Sequence, residues 1–324
     1  MSHQRIIIDT DPGVDDAAAI LLALASPELE VLGISVVGGN VPLEATVANA
    51  CKIMALSNRA DVPIYAGAPG PLIREQVYGK YAHIGAFSDQ LVPATDIKPE
   101  AEHAVSFLIR TTRNAAEVGD PITICAIGPL TNIALALVQH PDVARGIKQI
   151  VSMGGAFTAL GHRTPWAEFN IYADPHAAEI VYGSGVPLVI MPLDTTFQAL
   201  LTRQHIEGIQ AAAGAPGRAL ANLLLAFDRS DIGRFGRPGG PIHDATTIAW
   251  LLKPELFQGR KAAIGVQVTG RTAGYTYADY YGKTDRPPTS TIMHSVDEQG
   301  FIDLLFERLN VYSRSNDDLR ALGG

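Results

Sequence analysis

Short apolar runs alternate with amphipathic helical stretches along the first two thirds of the chain, and this alternation restricts the fold more than any other feature. Arg5–Asp9, Glu30–Val37, Val62–Ala66, Ile122–Ile127, Gln149–Met153 and Pro187–Met191 read as buried strands. Between them, Asp15–Ala25, Leu43–Leu56, Ala101–Arg113, Thr131–Gln139 and His176–Tyr182 carry helical periodicity. Strands that are apolar throughout and separated by helices imply a mostly parallel sheet with helices on both faces. The last third is less regular, with helices near Arg218–Phe227, Ala245–Leu252 and Glu298–Leu309 and strands near Ala262–Thr269 and Thr289–His294. No Pro-, Gly- or Ser-rich linker and no internal repeat interrupts the pattern. The expectation is one α/β domain over residues 1–324, a three-layer α/β/α Rossmann-like fold on a mostly parallel sheet, with further C-terminal helices and strands.

Composition narrows the function classes. The hydrophobic set makes up 47% and charged residues 18%, as in a compact globular enzyme. The net charge of −8 is spread along the chain with no basic block, which argues against a nucleic-acid partner. No apolar run reaches the roughly 18 residues of a membrane span. The start, MSHQRIIIDTD, enters a strand without the charged and apolar regions of a secretory signal. Cys51 and Cys125 fall in a helical and a strand pattern, outside any metal or redox spacing, and read as buried thiols in a reducing cytoplasm.

Two stretches lack periodicity. Residues 69–99 hold Tyr78, Tyr81 and His83 among glycines, and residues 228–243 (DRSDIGRFGRPGGPIH) hold several arginines and glycines. Long irregular segments in a compact domain often serve as lids, so both are expected to be mobile loops over a site.

The chemistry concentrates after the first strand, in Asp9-Thr10-Asp11-Pro12-Gly13-Val14-Asp15-Asp16. Four carboxylates occupy one strand-to-helix turn, at the sheet edge where open parallel sheets bind ligands. Helix capping accounts for one aspartate, or two. Four converging carboxylates repel one another unless a cation holds them, and an all-oxygen set suits Ca²⁺ or Mg²⁺ rather than zinc. A cation needs more ligands than one turn supplies, and Asp244, preceded by His243 at the end of an irregular segment, reads as ligand plus acid. Glu168 and Asn170, spaced i, i+2, point the same way if their segment is extended, offering an acceptor and an amide to a polyhydroxylated ligand. Asn40, after Val36-Val37-Gly38-Gly39, and Met153, at the end of a strand, lie at the same sheet edge.

Together these segments resemble the inosine-uridine preferring nucleoside hydrolase family over nearly the whole chain. The resemblance rests on DTDPGVDDAAAI, followed in order by VVGGN, AIGPLTNIALAL, VSMGGAF, AEFNIYADPHAAEIV and PIHDATTIAWLLKPELF. TIAWLLKPELF and DEQGFIDLL look most like the bacterial pyrimidine-preferring branch. The resemblance implies hydrolysis of the N-glycosidic bond of ribonucleosides to ribose and free base. It implies Ca²⁺ held by Asp11, Asp16, Asp244 and the Ile127 carbonyl, with Asp11 also the general base toward the attacking water. Asp15, Asn40, Glu168 and Asn170 would hold the ribose hydroxyls, with Met153 against the sugar. His83 and His243 would lie on the base side, where the leaving group needs a proton. A homodimer or homotetramer is expected from the resemblance alone.

The sequence departs from the family at Gly161–Trp166. Where the family commonly has Gly-Asn, with the Asn touching the 5′ end of the sugar, the chain has Gly161-His162. An imidazole there is bulkier and puts ordinary 5′-hydroxyl recognition in question. Residues 228–243 lack tyrosine, so base contacts would rest on Phe227, Arg229, Arg234 or Phe235.

Rival readings explain less. A haloacid-dehalogenase-type phosphatase shares the Asp9-Thr10-Asp11 pattern but leaves Asp15-Asp16, the HD pair and AEFN unexplained. Gly282-Lys283-Thr284 ends like a P-loop, but Tyr277 stands where its first glycine is required. A purine or mixed preference remains an alternative to pyrimidines, and a non-catalytic calcium-dependent sugar binder an alternative to an enzyme.

Overall fold

A computed structural model describes residues 3–80 and 82–313; Tyr81, one of the aromatic residues noted above, lies outside them. The strands are β1 Gln4–Thr10, β2 Leu29–Val36, β3 Ile64–Ala66, β4 Ile122–Ala126, β5 Ile147–Met153 and β6 Leu188–Met191. They continue with β7 Leu200–Leu201, β8 Gly240–Pro241, β9 Phe257–Val266, β10 Thr276–Asp279 and β11 Ser290–Val296. The helices begin with α1 Val14–Leu24, α2 Leu43–Leu56, α3 Ala104–Val118, α4 Thr131–Gln139, α5 Phe169–Ala173 and α6 Pro175–Tyr182. They end with α7 Leu193–Thr196, α8 Arg203–Ala212, α9 Gly214–Ala226, α10 Ile232–Phe235, α11 Ala245–Leu252 and α12 Glu298–Leu309.

Nine strands form one sheet in the order β10-β9-β11-β6-β5-β4-β1-β2-β3. Every pairing from β3 across to β11 is parallel; β9 runs antiparallel to both β11 and β10. The two short strands β7 and β8 pair separately.

The alternation of side chains along β1 shows why its residues are apolar without interruption. Ile6 and Ile8 join a core with residues of α1, α2, α9, α11 and α12, while Ile7 joins a second core with α3, α4 and α6. The sheet is therefore buried on both faces, and the layering is α/β/α as expected. Cys51 and Cys125 are buried and unbridged. Among the described residues no helix is long and apolar enough to cross a membrane.

Several boundaries differ from the sequence reading. The helix expected at Ala101–Arg113 begins at Ala104, where the His103 ring accepts from Val105 N, and runs to Val118, where Gly119 (φ 71°) stops it. The strand expected at Ala262–Thr269 starts earlier, at Phe257, because Phe257–Ala262 pairs with β11. α5, α7, α8, α10, β7, β8 and β10 have no counterpart in the sequence reading. Of α8 (RQHIEGIQAA) only Ile209 is buried, and its apolar stripe is a narrow one of Ile206 and Ile209 on a largely polar helix.

Chain order reverses at β1: the path goes outward to β2 and β3, then returns to β4 on the other side. That switch point opens a crevice at the carboxyl ends of β1 and β4. A buried polar knot ties the crevice from below. Asn132, on α4, donates to Asp9 Oδ2 (3.0 Å), Ser35 Oγ (3.2 Å) and Val36 O (3.2 Å), and accepts from Ala68 N (2.8 Å). Replacing Asn132 by Ala strands these buried groups, each costing about 1–3 kcal/mol. We expect Asn132→Ala to lower the free energy of unfolding by at least about 2 kcal/mol in chemical denaturation, and a loss under half of that would show the knot to be dispensable.

Candidate active site

The turn after β1 divides its aspartates between two tasks. Asp9 accepts from Ser35 and Asn132 below the crevice, and burial raises its carboxyl to about 7. It belongs to the scaffold, so the expectation of four converging carboxylates is corrected to three from this turn, Asp11, Asp15 and Asp16, joined by Asp244.

Close backbone approach makes room for Asp11. A Cβ on Gly39 would stand 2.2 Å from Asp11 Oδ2, and one on Gly128 would stand 2.7 Å from Oδ1. Asn40 N donates to Oδ2 at 2.6 Å and Asn40 Nδ2 to the Asp11 carbonyl at 3.1 Å. Asp11 Oδ1 is buried with no hydrogen-bond partner. Burial, then the adjacent Asp16, pushes the Asp11 carboxyl well above its ordinary range.

Asp16 accepts from Thr10 Oγ1 (2.6 Å) and Gly13 N (2.8 Å), so it does cap the start of α1, but it also meets Asp244 side chain to side chain. Burial and then Asp15 raise it to about 6. Asp244 occupies the residue before α11 in helical conformation (φ −68°, ψ −35°), and its side chain makes no capping bond. Capping therefore does not account for it. Burial, Asp15 and Asp16 raise it well above the usual carboxylate range.

Carboxylate oxygens of Asp15, Asp16 and Asp244 lie within 4.8 Å of one another. Asp15 replaces Asp11 in this trio, in contrast to the ligand set expected from the resemblance; Asp11, on the same turn, keeps a partnerless buried Oδ1. Oxygen-only donors, the raised carboxyls of Asp11, Asp16 and Asp244 and one partnerless buried oxygen together fit a hard divalent cation.

Above this floor lies a cavity of about 460 Å³. Asp15, Asn40, Ile127, Met153, Glu168, Asn170, His243 and Asp244 line it, while Asp11 and Asp16 sit buried beneath. His83 does not line it: the residue is exposed, on a short 3-10 turn at Ala82–Ile84. From the same segment Gly79, Lys80, Gly85 and Phe87 reach the wall.

Glu168 and Asn170 share the cavity for a different reason than the one read from their spacing. Their segment is helical: Glu168 caps α5, accepting from Ile171 N (3.1 Å) and Gly155 N (3.3 Å) through Oε2. Asn170 lies in the first turn and donates to Ile127 O (3.0 Å) and Met153 O (3.1 Å). One lone pair of the Ile127 carbonyl is thereby used and the other remains.

The opposite wall is aromatic and cationic. His243 Nδ1 shares a hydrogen bond with Thr196 Oγ1 at 2.7 Å, leaving Nε2 for a ligand. Burial pulls His243 down to about 3, against the pull of Asp15, so its ring is neutral near pH 7. The Phe197 ring lies 5.8 Å from His243 and 5.3 Å from Phe235, and the Arg234 guanidinium stands 5.1 Å from the Phe197 centroid. His162 faces His243 edge-on at 5.6 Å, accepts from Phe169 N at 3.1 Å, and has Nε2 3.3 Å from Glu168 Oε1. Phe227, Arg229, Arg234 and Phe235 all line the cavity.

Sequence reasoning missed Thr196, Phe197 and Asn49. Asn49 Nδ2 donates to Pro12 O (2.8 Å) and its Oδ1 accepts from Phe87 N (2.7 Å), tying the irregular segment to the acidic turn. Nothing local marks Thr196 or Phe197; for Asn49 the local signal is a polar amide in the middle of α2, among Ala and Val.

Comparison with known proteins agrees with this geometry. The family model described as "Inosine-uridine preferring nucleoside hydrolase" matches residues 6–303. A pyrimidine-specific ribonucleoside hydrolase, RihA of Salmonella enteritidis, is 44% identical over 313 residues, covering 95% of this chain and 99% of its own. A plant nucleoside hydrolase structure superposes with a TM-score of 0.85 at 30% identity, over 95% of this chain and 99% of its own. A purine-preferring ribonucleoside hydrolase from Gardnerella vaginalis gives 0.83 at 30% identity, over 96% and 100%. An acidic floor at the β1/β4 switch point, a cavity of nucleoside size and a match along nearly the whole chain converge: the protein is an enzyme of the inosine-uridine preferring nucleoside hydrolase family.

Proposed function

We propose that the enzyme is a Ca²⁺-dependent hydrolase of pyrimidine ribonucleosides, releasing ribose and uracil or cytosine. The observation that carries the reading is a single cavity with buried carboxylates on its floor and aromatic rings with a neutral histidine on its wall. The 44% identity to a pyrimidine-specific relative, against 30% to a purine-preferring one, supports the base preference.

Asp11, Asp16, Asp244 and the free lone pair of the Ile127 carbonyl are the groups that would hold the cation, and Asp15 lies within their reach. When bound, the cation lowers the pKa of a water molecule and fixes its approach. Asp11 Oδ1, buried and partnerless, is the base that takes the proton. Asp15, Asn40, Glu168 and Asn170 hold the ribose hydroxyls, and Met153 packs on the sugar. Cleavage builds positive charge on the ribose ring, which the buried carboxylates stabilise in a water-poor site. His243, oriented by Thr196, presents Nε2 to the departing base. His83 would take part only after residues 69–99 move it to the cavity. Two buried, unbridged cysteines agree with a reducing cytoplasm, and a homodimer or homotetramer remains part of the reading.

The decisive assay follows ribose release from uridine, cytidine, inosine and 5-methyluridine, before and after calcium is stripped. We expect release that disappears on full chelation and returns with Ca²⁺, with uridine and cytidine ahead of inosine. Activity that survives complete removal of divalent ions would refute the cation requirement, and inosine ahead of both pyrimidines would refute the preference.

Asp11→Ala should cut kcat by at least about 10²–10⁴-fold, the usual contribution of a positioned base, with an unchanged far-UV circular dichroism spectrum. Near-normal kcat would remove Asp11 from that role.

His243→Ala should slow substrates with poor leaving groups most, and Thr196→Val should reproduce a weaker form of the same pattern. A uniform loss across substrates would count against assistance to the leaving base.

A further inference from the structure

Arg229 is the cavity residue that forms an ion pair with the acidic floor, and the proposed reaction gives it no task. Its Nη1 lies 2.7 Å from Asp15 Oδ2, with side-chain exposures of 23% for Arg229 and 9% for Asp15. It belongs to the irregular segment between α9 and β8, from which Ser230, Asp231, Arg234 and Phe235 also line the cavity. The ion pair is therefore a bridge between the roof of the cavity and its acidic floor. Asp15 is one of the three carboxylates whose oxygens lie within 4.8 Å of one another. The field of the guanidinium reaches Asp244 and Asp16 as well as Asp15. A buried acidic cluster calls for a counter-charge, and Arg229 supplies one from the chain itself.

The same arrangement cannot persist when ligands arrive. A divalent cation placed among these carboxylates repels a guanidinium on one of them, by an amount that the partly buried setting leaves poorly screened. A hydroxyl that binds Asp15 must also share or displace the arginine, since the Asp15 side chain has little other exposed surface.

We propose that Arg229 is an affinity-setting latch: it neutralises the acidic floor and closes residues 228–241 over the cavity in the free enzyme, and cation and sugar compete with it for Asp15. This rests on the proposed function in taking Asp15 as a sugar ligand and the floor as a cation site. It goes beyond that reading in assigning Arg229 an opposing role. Because both ligands displace one group, each helps the other to bind, and linkage makes the help reciprocal. A latch closed nine-tenths of the time weakens the apparent affinity of either ligand about tenfold.

The test is calorimetric titration of the cation-stripped full-length protein with Ca²⁺, for wild type, Arg229→Gln and Arg229→Lys, with KM for uridine measured beside it. The latch predicts that Arg229→Gln binds Ca²⁺ several-fold to about tenfold more tightly and lowers KM. Arg229→Lys, which keeps the charge, should stay near wild type and serves as the folding control. Unchanged or weaker Ca²⁺ binding by a folded Arg229→Gln would overturn the latch, as would equal tightening in Arg229→Lys. Higher KM in Arg229→Gln would instead make the arginine a substrate ligand, which also overturns it. Ca²⁺ binding needs no turnover, so tightened binding without any nucleoside cleavage would sustain the latch and refute only the reaction. No Ca²⁺ binding by any of the three proteins would refute both.

Discussion

The demand that several buried carboxylates make on their surroundings organises the rest of this molecule. Asp11, Asp16 and Asp244 are each almost fully buried, with exposures of 1%, 1% and 4%, and repel one another where water cannot screen them. Such a cluster persists only if backbone donors, a bridging cation or a positive side chain offset the repulsion. The chain uses the first through Asn40 N and Gly13 N and the third through Arg229, and the oxygen-only geometry leaves the second to a divalent ion.

Holding the cluster requires a rigid floor, and the doubly buried sheet provides it. β1 delivers the acidic turn, β4 delivers Ile127, and the reversal of chain order between them prevents any crossover from filling the gap. Asp9 and Asn132 lock the strands just beneath, so that catalytic candidates and scaffold are separated by only two residues along one strand. Asn132 alone satisfies four groups at this depth, donating to Asp9, Ser35 and Val36 and accepting from Ala68.

What was legible in the sequence follows from how local its cause is. β1, α1, α2, α4, α11 and α12 were placed closely because their burial pattern is written in consecutive residues. α8 escaped because its apolar stripe is reduced to Ile206 and Ile209 on a short, largely polar helix. The acidic turn stood out by composition, yet sequence gave no way to tell that Asp9 points to Ser35 and Asn132 rather than into the crevice. Glu168 and Asn170 reach the cavity as a helix cap and a first-turn residue, so their spacing suggested the right place through the wrong backbone. Thr196 and Phe197 come from a short turn after β6 whose relation to His243 is set by tertiary packing alone.

The same logic separates what is fixed in this site from what is free to vary. The floor is built from strand ends and helix starts, where a change in one residue disturbs several buried partners. The wall is built from His162, Phe197, Arg234 and Phe235, whose contacts are ring edges, one cation–π pair, the bond that His162 accepts from Phe169 N and the bond from Arg234 to the Gly161 carbonyl. Such contacts tolerate exchange of one ring or cation for another at little cost to the fold. His162 illustrates the consequence. Its Nε2 lies 3.1 Å from Phe169 N and 3.3 Å from Glu168 Oε1, so Nδ1 is the ring nitrogen left to a ligand, one polar atom where an amide offers donor and acceptor alike. Chemistry at the sugar is thus constrained by buried charge, while recognition at the edge of the cavity can drift with side chains that the sheet does not hold.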